Sequence, residues 1–232
     1  FSDAFPYKER RYYIPKPMIS YKAVKDEKKG NSVEKKRFKK MKYIPQEYLE
    51  NFLKGEYPEE ELKEEQKFGV HSMKVSVGLR GNEESEPYRV NAFYFSEGNG
   101  LYLILAYQEL EAVELFKKLL DSLSYSGLGG KRSAGLGRFE YMEHEMPDEL
   151  KEKLQKKADK YMLLSVALPE DQEMEKILET YAEQQRRKRD LYVFDAGSCF
   201  EKTFEGRLIE EREGGRHSVF RYEKALFLGV DI

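Results

Sequence analysis

Five glycines fall within eleven residues of this chain: Gly127, Gly129, Gly130, Gly135 and Gly137, in the run SGLGGKRSAGLGR over residues 126–138. Glycine admits positive φ and lets the backbone approach a ligand closely. Lys131, Arg132 and Arg138 are interspersed among the glycines. Free N–H groups in such a loop form an anion-binding concavity, and the cations add charge to it. The expectation is a phosphate-binding loop. A nucleotide P-loop needs G-x-x-x-x-G-K-[ST], but here Gly130-Lys131 is followed by Arg132, and Tyr125 stands at the first glycine position. A dinucleotide fingerprint follows a strand and opens a helix, and here the order is reversed. Helix, glycine loop, strand is an order that lays the loop along one face of a sheet, where it can follow a nucleic-acid backbone.

The flanking patterns supply that order. Leu110, Val113, Phe116, Leu119, Leu120 and Leu123 form a helical stripe ahead of the loop, and Glu114 with Lys118 adds an i,i+4 pair. A strand is expected at 139–142. Upstream, Met73, Val75, Val77 and Leu79 alternate with polar residues, which predicts a half-buried strand. A turn-rich excursion GNEESEP (81–87), a second strand at 88–95 and a third at 101–106 follow. The third is apolar on both faces and reads as central. Residues 1–20, with three prolines, suit an extended segment or loop. Pro45 opens a short helix ending at Gly55, and 56–65 is acidic and solvated.

The second part repeats the alternation more loosely. It holds a polar helix at 148–158, a strand at 160–167 and a helix from Pro169 with the stripe Met174, Ile177, Leu178, Tyr181 and Ala182. RRKR (186–189) closes that helix, where cations favour its dipole. A strand at 191–194 and β-rich hairpins around Gly206 and Gly214-Gly215 complete the chain. Strands interleaved with helices predict an α+β fold of two related halves, 1–145 and 146–232.

Composition removes several classes. Forty-one basic and 43 acidic residues nearly cancel, leaving a net charge of −2, so the positive charge is local. The 36% charged fraction, with five Asn, seven Gln and one Cys, has a heat-adapted look. One cysteine closes no internal disulfide, and three histidines cannot join it in a zinc-finger spacing. Cys199 reads as a core thiol. The longest apolar run (101–107, LYLILAY) is far short of the roughly 20 residues that span a bilayer. A cytoplasmic protein without membrane or cofactor is expected. The chain opens on Phe1 in mid-motif, and residues upstream of it are expected to have been left out.

With the loop, further segments fall into a familiar order: SDAFPY (2–7), YYIPKP (12–17), VSVGLRG near Arg80, EPYRV, GLYLIL, GSCF (197–200) and HSVFRYEKALFLGV. Together they resemble the RAMP superfamily of CRISPR proteins. More narrowly, SDAFPY with YYIPKP resembles the branch that caps the 5′-tag end of the CRISPR RNA in type III-A (Csm) complexes. The resemblance covers most of the chain. It implies two ferredoxin-like units, the first lacking its opening strand and helix here, with the glycine loop between second helix and last strand. It implies a non-catalytic subunit that grips the CRISPR RNA 5′ tag and docks onto the large polymerase-fold subunit and the repeated backbone RAMP subunits.

The RNA-binding candidates are Lys131, Arg132, Ser133 and Arg138 with Gly127, Gly129, Gly130, Gly135 and Gly137, whose charges and N–H groups suit phosphates. From the opening motif come Ser2, Asp3, Phe5 and Lys16. Phe5, like Tyr7, either stacks on a base or packs the two halves together, and Asp3 orders the turn. Arg80 begins the 81–87 excursion, which the resemblance makes a thumb-like hairpin pressing on the RNA. KKRFKKMK (35–42) binds RNA or an acidic surface, or is merely solvated. Two other readings stand beside this one. A RAMP endoribonuclease would need His71, His144 or His217 for acid–base work. A ferredoxin-like protein-interaction module would leave the loop without a ligand.

Overall fold

Tyrosines and aliphatic residues in the opening segment make it a ladder, where a loop or lone extended segment was expected. In a computed structural model, which describes residues 1–19, 32–63, 66–78, 86–173, 185–188, 191–210 and 219–231, β1 (Phe5–Lys8) turns at Glu9 and pairs antiparallel with β2 (Arg11–Pro15). Tyr7 stands opposite Tyr12. β2 continues to β3 (Tyr43–Pro45), and β1 pairs on its other side with β6 (Asn99–Tyr102), giving the order β3-β2-β1-β6. Contrary to its doubly apolar reading, β6 is an edge strand among the described residues, and Leu101 on it is half exposed. β2 is the strand covered on both faces, since the consecutive residues Tyr13 and Ile14 are both in the core.

Between β2 and β3 lies α1 (Ser32–Lys40), which is the basic tract in helical form. After β3, a 3-10 turn (Gln46–Tyr48) leads into α2 (Leu49–Leu53), ended by Gly55 at φ +76°. The acidic segment contributes α3 (Glu59–Lys63). Leu49, Phe52 and Leu53 bury the inner face of α2. Each such side chain, fully withdrawn from water, stabilises by about 1.5–3 kcal/mol.

β4 (Gly69–Gly78) and β5 (Glu86–Phe95) appear as predicted and pair in register from Gly69–Phe95 to Gly78–Glu86. Their burial differs from expectation. Among the described residues they pair only with each other, and apolar side chains are exposed on both ribbon faces, Val70, Tyr88 and Tyr94 on one of them. Met73, Val75 and Val77 lie more than half exposed. Period-two alternation fixes which residues share a face, not whether anything covers it.

Two compact units emerge: 1–104 with 157–232, and 105–156. The expected boundary at 145/146 falls inside the second. In the first, β7 (Lys160–Leu163) sits between β10 (Cys199–Phe200) and β13 (Phe227–Val230). Leu163, Ala167, Phe194, Phe200 and Phe204 form a buried cluster against Phe227, with rings meeting edge to face. β11 (Gly206–Glu210) and β12 (Phe220–Lys224) form a hairpin. Arg186, Arg187 and Lys188 lie in β8 (Gln185–Lys188), paired with β9 (Leu191–Phe194), and do not end a helix. The backbone has already turned extended there, and the i→i−4 bonds that a helix end requires are replaced by a ladder. The stripe from Met174 to Ala182 lies outside the described residues, as does Gly214-Gly215.

The second unit holds α4 (Leu110–Ser126), the glycine loop, and α5 (Asp148–Gln155). The strand expected at 139–142 does not form: among the described residues this unit contains no other strand with which to make a ladder. The segment instead lies along α4. Tyr141 Oη donates to Asp121 Oδ1 at 2.6 Å, and Lys117 Nζ reaches Glu143 Oε2 at 2.7 Å.

Candidate nucleic-acid interface

α4 stops because Gly127 takes φ +80° and returns its N–H to the Leu123 carbonyl at 2.7 Å. Ten residues later the chain comes back to the same place. Leu128 N–H donates to Gly137 O at 2.8 Å, which closes the loop at its neck. A Cβ on Gly137 would run into the Leu128 carbonyl oxygen, and one on Gly127 would stand 2.8 Å from Leu136 O. Glycine at these two positions is required by space as well as by φ. Around Gly129, Gly130 and Gly135 there is open space.

The far side of the loop is a single 3-10 turn, Arg132–Ala134, entered through Lys131 and left through Gly135, both left-handed. Lys131 is one of two described non-glycine residues with positive φ, at 57°. That conformation costs about 1–2 kcal/mol for a residue with a Cβ. The N–H groups of Ala134, Gly135 and Leu136 turn inward onto Lys131 O and Arg132 O. Those of Gly129, Gly130, Arg132 and Ser133 make no hydrogen bond within the described residues. Lys131, Arg132, Ser133 and Arg138 are exposed. The loop thus offers unused N–H donors beside cations, which is the composition of an anion site. At its entrance Tyr125 is 80% exposed. Sequence reasoning passed Tyr125 over because it lies off the apolar stripe, and that offset was the available signal.

The opening-motif candidates are placed in the other unit. Ser2 is buried, with its Oγ accepting from Ile104 N–H at 2.8 Å and donating to Asp3 O at 2.7 Å. Asp3 N–H donates to Leu164 O, and Asp3 Oδ1 accepts from Val166 N–H at 3.1 Å. This pair stitches the chain start to the segment after β7. Phe5 is 2% exposed, edge to face with Tyr43 and Tyr102. It is a core side chain, and no base can reach its face. Lys16 is half-buried. Its Nζ donates to Phe38 O at 2.8 Å and lies 5.0 Å from the centre of the Phe38 ring, while burial lowers its pKa. Arg80 and the excursion beyond it lie outside the described residues. Ser2, Asp3 and Phe5 thus serve the packing of the larger unit.

His71 on β4 meets the Phe93 ring edge at 5.0 Å, His144 is exposed beyond the loop, and His217 lies outside the described residues. Cys199 is buried, and burial pushes its thiol up to about 12. Among the described residues no group of three or more His, Cys, Asp or Glu is placed to hold a metal ion, and no helix is long and apolar enough to cross a membrane.

Comparison with known proteins adds an independent line. A family model described as the CRISPR Csm4 C-terminal domain matches residues 156–230. The CRISPR system Cms protein Csm4 of Mycobacterium tuberculosis (strain CDC 1551 / Oshkosh) is 34% identical over 247 residues, a match spanning 99% of this chain and 78% of that protein. Its counterpart from Streptococcus thermophilus is 33% identical over 256 residues, spanning 100% and 80%. Among solved structures, a chain of a Csm1-Csm4 cassette in complex with cA4 superposes with a TM-score of 0.64 at 24% identity, over 99% of this chain and 77% of that one. A chain of a Csm3-Csm4 subcomplex of the type III-A CRISPR-Cas interference complex gives 0.64 at 18% identity, over 99% and 82%. At these identities the structural likeness speaks to the fold.

Proposed function

The chain belongs to the Csm4 family, and from that premise we propose that it binds the 5′ tag of the CRISPR RNA through the glycine loop at 126–138. As a Csm4 chain it is a subunit of a type III CRISPR complex. The observation that carries the tag-binding reading is the loop itself: closed at Leu128–Gly137, with the N–H groups of Gly129, Gly130, Arg132 and Ser133 unused and Lys131, Arg132 and Arg138 exposed beside them. Backbone donors and cations hold phosphates without reading sequence. Tyr125 offers the adjoining ring on which an unpaired base stacks, worth roughly 1–3 kcal/mol. Arg80 and its excursion press on the same RNA further along.

The related chains solved with Csm1 and with Csm3 support a place between the large subunit and the repeated backbone subunits. The role is architectural and not catalytic: the subunit holds one end of the guide, in the cytoplasm. Two ferredoxin-like halves, 1–145 and 146–232, are the organisation this reading carries.

The test is fluorescence anisotropy with a labelled RNA bearing a repeat-derived 5′ tag, a scrambled RNA of equal length, and the Lys131→Ala/Arg132→Ala variant, across a salt series. Tag-preferring binding that the variant weakens, with a shallower salt slope, is the expected result. A variant that binds as tightly as the parent would remove the RNA from the glycine loop.

A further inference from the structure

Helix α1 and the turn after it hold a second concentration of positive charge, in the other unit from the glycine loop. Between positions 35 and 42 six of eight residues are cationic. The structure sorts them. Phe38 turns inward, stacking on Phe52 at 5.7 Å and meeting Tyr57 at its edge, and Met41 Sδ lies 4.0 Å from the Tyr57 hydroxyl. Lys36, Arg37, Lys39, Lys40 and Lys42 remain exposed. We propose that this outward face is a second polyanion surface, which carries the sugar-phosphate backbone of a nucleic-acid strand independently of the glycine loop.

Three observations favour a ligand over simple solvation. The like charges are costly where they stand: Lys36 with Lys39 and with Lys40 are i,i+3 and i,i+4 pairs, each destabilising an isolated helix by about 0.2–0.5 kcal/mol. Among the described residues no ion pair relieves that cost at Lys36, Lys39, Lys40 or Lys42. The acidic α3 contacts α1, yet its Glu61 is committed to Arg11. Lys39 and Lys40 in the last turn gain from the helix dipole, but the Phe38 carbonyl is already taken by Lys16, so neither is needed to cap it. Lys16 N–H also holds Lys42 O at 2.9 Å, so the end of the basic face is fixed from beneath by one residue.

The chemistry of the patch selects the ligand. It offers the ammonium groups of four lysines and the Arg37 guanidinium but no exposed aromatic ring, because Phe38 is turned in, so it grips phosphates and gives bases no aromatic platform. Positions 36–40 rise about 6 Å along the helix axis, and Lys42 lies just beyond the helix end. With the reach of the lysine stems that is the length of a few successive phosphates, and it suits a strand laid across the face.

The test uses the full chain with an untagged labelled 20-nucleotide RNA and the DNA of the same sequence, over a salt series. Lys39→Gln/Lys40→Gln/Lys42→Gln should weaken binding at least tenfold near 0.1 M salt. It should also lower the slope of log K against log salt by about 2, at about 0.7 per single-strand phosphate. The Lys→Arg triple variant should restore both, and an unchanged melting temperature excludes misfolding, since Phe38 and Met41 remain. Binding of both strands assigns phosphodiesters in general and binding of RNA alone assigns RNA; either supports the proposal. A glutamine variant that binds untagged RNA like the parent overturns it. So does poly-glutamate that competes with the RNA at equal charge, which would mark the face for an acidic protein. The tag-reading proposal fails separately, on tag against scramble with Lys131→Ala/Arg132→Ala.

Discussion

Leu128 donates its N–H to the carbonyl of Gly137, and that one bond sets the dimensions of the glycine loop. The two residues lie nine positions apart, and the return is tight enough that only hydrogen fits on the Gly137 α-carbon beside the Leu128 carbonyl. Gly137→Ala must therefore open the neck, and it must also hold φ near +77° with a Cβ. The expected local loss is about 2 kcal/mol or more. Gly130, with open space around it and no positive φ, should accept alanine at a cost below about 1 kcal/mol. Hydrogen exchange at the Leu128 amide reads the difference: faster by more than tenfold in Gly137→Ala, unchanged in Gly130→Ala. Equal protection in the two variants would mean that the neck is not what closes the loop.

Lys131 combines strain with charge, and the two are separable. Its left-handed backbone is relieved by glycine, so Lys131→Gly should raise stability by up to about 1 kcal/mol, offset in part by the added freedom of the unfolded chain. The same change removes one of the loop's exposed cations and, on the proposed function, should weaken RNA binding several-fold. A melting temperature that rises while affinity falls is the expected pair of results. A rise in both would leave strain as the residue's whole contribution.

How far the sequence foretold this depends on which force shapes each element. α4 was legible because its stripe repeats at 3.6 residues, and β4 and β5 because theirs repeats at two. What covers an apolar face is a tertiary matter: Val75 follows the pattern of a half-buried strand and is exposed. β1 and β2 were hidden by their prolines. Pro6 is tolerated because the β1–β2 pairing begins beyond it, at Tyr7–Tyr12, and Pro15 ends its strand. The glycine loop was legible in composition, as five glycines interspersed with cations. Its closure, and hence which N–H groups stay unused, depends on bonds such as Leu128–Gly137 that no local pattern announces. Phe5 was left open between stacking and packing, and only burial separates the two.

That separation has its own consequence. Phe5→Leu removes ring contacts with Tyr43 and Tyr102 but keeps an apolar side chain, and should cost about 1–2 kcal/mol; Phe5→Ala should cost about 3–5 kcal/mol. RNA affinity per folded molecule should not change in Phe5→Leu. Titration well below the melting temperature checks this, and a tenfold loss of affinity there would restore Phe5 as a base-stacking residue.

Alkaline pH should unfold the larger unit through its buried acids. Tyr102 donates its hydroxyl to Tyr13 O at 2.8 Å, and burial raises its pKa above the ordinary 10; burial does the same to Tyr57. For such a group the fold favours the neutral form. Its contribution is whole below pH 10 and is lost as pH rises beyond 10. The Cys199 thiol, pushed from 9.0 to about 12, loses its contribution between those values by the same sign. Lys16 acts oppositely: its lowered pKa means that stability rises as it deprotonates below 10.5, but it is one group against three. Thermal unfolding at pH 8, 9, 10 and 11 should show a melting temperature that falls with increasing steepness above pH 9. Tyr102→Phe should start lower at pH 8, by the loss of one hydrogen bond of about 1 kcal/mol, and fall less between pH 10 and 11. If the two curves stay parallel, the Tyr102 hydroxyl ionises in the folded chain as readily as in water, and its bond to Tyr13 is not shielded from solvent.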